Sequence, residues 1–98
     1  MFVSVRKYQN VKSVEEIKAL VQEHFVPKLK LNPGFKGYYM LDCASPDSGN
    51  IVTTISMFDN WDAALASNNA AKDFVKHLAA HLLPEAAQAV SGEVIISA

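Results

Sequence analysis

A single α+β domain with the element order βαββαβ is predicted by three observations on this chain of 98 residues. Segments 2–8, 35–43 and 51–58 alternate with the two-residue period of strands, and a fourth such segment lies near 93–97. Two longer segments follow helical spacing, one after the first strand and one after the third. Turn formers stand at the joints: Asn32, Pro33 and Gly34 before the second strand, and SPDSGN at 45–50 between the second and third.

The first strand carries Val3 and Val5 on one face and Phe2, Ser4, Arg6 and Tyr8 on the other. Ser13 followed by Glu16 is a capping-box pattern that starts the first helix. Val14, Ile17, Leu20, Val21, His24 and Phe25 make its apolar stripe, and Pro27 should kink or end it. On the second strand, residues 35, 37, 39, 41 and 43 are Phe, Gly, Tyr, Leu and Cys; residues 36, 38, 40 and 42 are Lys, Tyr, Met and Asp. The third strand sets Ile51, Thr53, Ile55 and Met57 against Val52, Thr54, Ser56 and Phe58. Asp59 caps the second helix, which opens with Trp61, Ala64 and Leu65. Ser67, Asn68 and Asn69 are good cap residues and predict a joint that breaks this helix. The pattern restarts with Ala71, Phe74, Val75, Leu78 and Leu82, Pro84 ends it, and Val94 and Ile96 share a face of the last strand.

The order βαββαβ is the split arrangement of a ferredoxin-like domain, a four-stranded antiparallel sheet with two helices on one face. Residues 35, 37, 39, 41 and 43 are wholly apolar or aromatic, which places them under the helices. Phe2, Tyr8, Tyr38, Met40, Val52 and Phe58 then fall on the opposite face, beside Arg6, Lys36 and Asp42. An apolar patch of that kind marks an interface. The expected partner is a second copy, in a homodimer packed sheet against sheet through Tyr38, Met40, Val52 and Phe58.

Composition narrows the function classes. Half the chain is hydrophobic and the formal net charge is −1, as in an ordinary soluble domain. Without a basic excess, nucleic acid is not an expected partner. No apolar run approaches a signal peptide or a membrane span, and Cys43 is the sole cysteine, so a cytoplasmic setting is expected.

The βαββαβ order, NPGFKGYYMLD, the stretch GNIVTTISMFDNWDAALASNNAAKDFVKHL and the closing SGEVIIS resemble the antibiotic-biosynthesis-monooxygenase-like proteins of the dimeric α+β barrel superfamily. The resemblance covers nearly the whole chain and implies that fold and a homodimer. Haem-degrading members carry a histidine ligand in the helix after the joint; Val75 stands there in this chain. No cofactor is therefore expected.

His24 is the candidate general base, an imidazole within an apolar stripe. Trp61 and Phe74 are candidate walls of an aromatic pocket, and Tyr39 and Thr53 candidate ligand-orienting hydroxyls. His77 and His81, at i and i+4 with Asp73 one turn earlier, have metal-type spacing but lie off the core line, so no metal site is expected. The leading expectation is a small-molecule-binding dimeric α+β barrel protein, in its finer form a cofactor-independent monooxygenase of a small aromatic compound. The rival is a non-catalytic ligand-sensing or stress-related structural dimer, its cavity filled by its own side chains.

Overall fold

The computed structural model describes residues 1–43 and 49–98. Its elements are β1 (Phe2–Tyr8), α1 (Val14–Leu20), α2 (Val26–Lys30), β2 (Phe35–Asp42), β3 (Val52–Phe58), α3 (Trp61–Phe74) and β4 (Gln88–Glu93). A π-helical turn, Val21–Phe25, joins α1 to α2, and a second, Val75–Ala79, extends α3. The strands form an antiparallel sheet in the order β2-β3-β1-β4, the ferredoxin-like arrangement, with the helices on one face. The turn-rich loop expected at 45–50 lies, for residues 45–48, outside the described residues. Among the described residues, no helix is long and apolar enough to cross a membrane.

Ser13 caps α1 as expected, its hydroxyl accepting from the Glu16 amide at 3.2 Å. Pro27 does not end the helix. It has no N–H to bond back one turn, and the backbone widens just before it: the Val26 N–H reaches Val21 O. Ile17, Val21, Phe25 and Leu29 are the buried residues of this layer.

The face assignment of the sheet is the main correction. A bulge separates Phe35 from Gly37 on β2. Phe35 stays opposite Phe58 on the helix side, their ring centroids 5.9 Å apart, while Gly37, Tyr39 and Leu41 pair with Met57, Ile55 and Thr53. One extra residue flips everything after it to the other face. The residues expected at the dimer interface therefore lie beneath the helices. Val52 and Phe58 are each 1 % exposed, and Tyr38 and Met40 pack against the same core. The uncovered face carries Val3, Val5, Tyr39, Leu41, Ile55 and Met57, with Val90 from β4.

α3 runs unbroken through Asn68 and Asn69. The cap is Asn60 rather than Asp59, its side-chain oxygen accepting from the Ala63 amide at 2.8 Å. Gly34 is needed beside this cap, because a Cβ there would stand 2.4 Å from Asp59 Oδ1. The change of helical geometry comes later, at Val75. The last strand also comes earlier than expected. Phe2 pairs with Glu93, and the Val94 N–H donates to Met1 O at 2.8 Å. Ile95 and Ile96, beyond this bond, are exposed.

Candidate ligand site

Arg6 is the most unusual residue of the fold. It sits mid-strand on β1, directly opposite Thr54 of β3 and Ala89 of β4, and is 2 % exposed. Strand alternation points it under α3. Its Nη2 donates to Ser56 Oγ at 2.7 Å, and its Nη1 to Asn68 Oδ1 at 2.9 Å and Ser67 Oγ at 3.4 Å. The guanidinium carbon stands 5.8 Å over the Phe25 ring, a cation–π distance. All these partners are neutral. Among the described residues, no carboxylate lies within salt-bridge distance of the guanidinium.

Asn68 explains why α3 is not broken. Its oxygen accepts from Arg6 and its Nδ2 donates to Ser91 Oγ at 3.1 Å, so its side chain ties the helix to the sheet rather than capping it. Ser91 Oγ is 2.8 Å from Ser4 Oγ, and Ser4 donates to the carbonyl of Ala64 at 2.7 Å. Ser67 satisfies itself on the same carbonyl at 2.6 Å. A polar seam thus runs between α3 and the sheet, with Arg6 at one end.

Two cavities meet at Arg6. The inner one, about 20 Å³, lies between the helices and the sheet beside Phe25, Tyr38, Thr54 and Phe74, and has room for about one water. Phe25 and Phe74 fill most of this space, their centroids 5.3 Å apart. The outer one is about 240 Å³ and is walled by Arg6, Tyr8, Asn68, Ala71, Val75 and Ala89. Arg6, Tyr8, Ala71 and Val75 are the partition common to both. A wider groove of about 520 Å³ runs between α1 and β2, but its charged side chains, Lys18, Lys30 and Asp42, are all exposed.

Burial lowers the pKa of Arg6, and the phenols of Tyr8 and Tyr38 partly offset this. A guanidinium so placed still keeps its proton. Burial also raises the pKa of Tyr8 despite the neighbouring Arg6, and pushes Tyr38 up to about 12. Neither phenol therefore ionises near neutral pH to balance Arg6. Thr54 Oγ1 is buried beside the Tyr38 phenol, and its interaction with that hydroxyl counters part of the upward shift.

A pH dependence follows. Tyr38 has a folded pKa above its unfolded value of 10, so its contribution is complete below pH 10 and is lost as pH rises toward about 12. The loss should be about 2–3 kcal/mol at about 1.4 kcal/mol per unit. Melting curves across that range should fall steeply for the wild type and less for Tyr38→Phe.

The structure brings only one of the sequence-predicted site residues, Phe74, to these cavities. His24 lies outside: its side chain is 44 % exposed and 3.9 Å from Glu23, because the inward position of the π turn belongs to Phe25. Tyr39 is 57 % exposed on the uncovered face, and Thr53 lies on that same face, accepting from Cys43 Sγ at 3.6 Å. Trp61 is 40 % exposed and stands edge-to-face with Phe2 at 5.8 Å, away from both cavities. Sequence reasoning missed Arg6, Tyr8 and Asn68. The available signal was Arg6 itself, a charge on a strand face otherwise made of Phe2, Ser4 and Tyr8.

No protein-family model matches the chain, and no curated protein sequence matches it. Solved structures do. A variant of SnoaB, a cofactor-independent oxygenase from Streptomyces nogalater, is 16% identical with a TM-score of 0.70, over 98% of this chain and 94% of that one. A putative antibiotic biosynthesis monooxygenase from Bordetella bronchiseptica is 15% identical with a TM-score of 0.71, over 97% of both chains. The fold is that of the antibiotic-biosynthesis-monooxygenase-like proteins. A variant of MhuD with two manganese protoporphyrin IX molecules per active site is 17% identical with a TM-score of 0.67, over 100% and 98%. The residues of this chain do not supply a histidine to a porphyrin metal. Val75, on the wall of both cavities, has no donor atom, and among the described residues no histidine lines either one.

Proposed function

We propose that this chain is a small-molecule-binding protein that works as a homodimer, a dimeric α+β barrel, with its ligand in the outer cavity beside Arg6. The observation that carries the reading is a buried cation with only neutral partners in a cavity wall. A charge in that position is costly to the empty fold, and a ligand offsets the cost. The 520 Å³ groove lacks this feature, since its charged groups are exposed.

The enzymatic form of the reading is a cofactor-independent monooxygenase of a small aromatic compound. Loss of a phenolic proton makes such a substrate electron-rich enough to pass an electron to oxygen. Arg6 favours the ionised phenol electrostatically, so that its proton passes to solvent rather than to His24, the base first expected, while Val75 limits water. The rival, a ligand-sensing or structural dimer, draws support from the inner cavity, which side chains leave at about 20 Å³ with no imidazole or carboxylate on its wall.

For the dimer, the uncovered sheet face is the available surface. Tyr39, Leu41 and Val90 are exposed there, and Val5, Ile55 and Met57 half-buried. A stable pairing buries about 1,600 Å² in total.

Native mass spectrometry of freshly purified protein tests the ligand reading. A dimer mass with a non-covalent increment is expected, and Ala89→Trp, which places a ring in the outer cavity, should remove the increment. A bare mass in every wild-type preparation, or an increment unchanged by Ala89→Trp, contradicts it.

A further inference from the structure

The charge balance around the outer cavity says more about its occupant than its shape does. Arg6, Lys72 and Lys76 line it against a single carboxylate, Glu85. Glu85 is exposed, is not within salt-bridge distance of Arg6, and accepts a hydrogen bond from Asn10 Nδ2. The rest of the wall is the neutral pair Tyr8 and Asn68 and a short apolar set, Ala71, Val75, Ala86, Ala87 and Ala89. Thr54, paired with Arg6 across the sheet, lies on the wall of the inner cavity and adds no charge there. The residues nearest Arg6 supply acceptor oxygens but no negative charge.

We propose that the outer cavity takes a small organic acid of one or two rings, its carboxylate neutralised by Arg6 and its ring lying against Ala71, Val75, Ala87 and Ala89. The inference rests on the small-molecule reading above and names the class of molecule. Two features set the class. A neutral ligand would leave the buried guanidinium unbalanced, whereas a carboxylate accepts charge-assisted hydrogen bonds from it. The volume of about 240 Å³ is below the ~300–1,000 Å³ of pockets for drug-sized ligands, which excludes large polycyclic molecules. Lys72 and Lys76, both exposed on the last turns of the helix, draw an anion toward the opening.

Calorimetry with benzoate and benzamide, equal in shape and different in charge, tests the proposal. Benzoate should bind roughly tenfold or more tightly than benzamide, the margin of a charged over a neutral hydrogen bond. Arg6→Met should abolish that preference. Lys72→Glu and Lys76→Glu, on exposed positions that do not endanger folding, should each weaken benzoate several-fold and weaken benzamide less. Equal affinities in the wild type, a preference that survives Arg6→Met in folded protein, or a benzoate affinity unchanged in both lysine variants overturns the proposal. If benzamide binds as well as benzoate, the anion inference falls and the small-molecule reading stands. If neither binds and native mass spectrometry shows bare protein, both fall.

Discussion

Val52→Asp should prevent folding, whereas Leu41→Asp should leave the protomer folded and dissociate the dimer. Both residues lie on the paired strands β2 and β3, and both are aliphatic. Val52 is 1 % exposed beneath the helices, so an aspartate there must be buried without a partner or neutralised. That costs several kcal/mol, a large share of the roughly 5–15 kcal/mol that holds a small domain together. Leu41 is 45 % exposed on the uncovered face, where a charge costs the isolated protomer little. In the proposed dimer it places like charges against each other across the two-fold axis. Circular dichroism and sedimentation separate the outcomes. Val52→Asp that folds normally, or Leu41→Asp that unfolds, would restore the opposite face assignment.

That assignment shows where the sequence stopped being legible. Alternation correctly found strands at Phe2–Tyr8 and near β2 and β3, and it sorted each strand's residues into two sets. Which set faces the helices turned on one residue. Phe35 reads with Gly37, Tyr39 and Leu41 only if the strand is regular, and the bulge at Lys36 makes it irregular. Both faces are apolar enough to serve as a core, so hydrophobicity did not decide between them. The same error moved Tyr39 and Thr53 into the expected site and left Arg6 outside it. The first helix failed differently. Its stripe was legible, but His24 and Phe25 are adjacent, and the π turn before Pro27 chose Phe25 for the interior.

The two adjacent asparagines should behave very unlike each other. Asn68→Ala removes an acceptor from the buried Arg6 and a donor from Ser91. Hydrogen bonds to charged groups contribute about 1.5–3 kcal/mol, so a loss of about 2–3 kcal/mol is expected in urea melts. Asn69 is exposed within the same unbroken helix, and Asn69→Ala should change stability by no more than about 0.5 kcal/mol. Equal losses would favour a capped joint at this point of α3. The sequence suggested that joint for a sound local reason, since Asn favours helix caps. The long-range bond from β1 was invisible to it, because Arg6 and Asn68 are 62 residues apart.

The proposed function puts the ligand in the cavity beside Arg6 rather than in the larger groove between α1 and β2. Amide nitrogen–proton NMR spectra of the labelled protein, recorded with a mixed library of small charged and neutral aromatic fragments, test it most directly. The largest shifts should fall on the backbone amides of Ala71, Val75, Ala87 and Ala89, the side-chain amide of Asn68 and the Nε of Arg6. Shifts concentrated on Lys18, Gln22, Val26 and Lys30, with the Arg6 and Asn68 signals unmoved, would contradict the account.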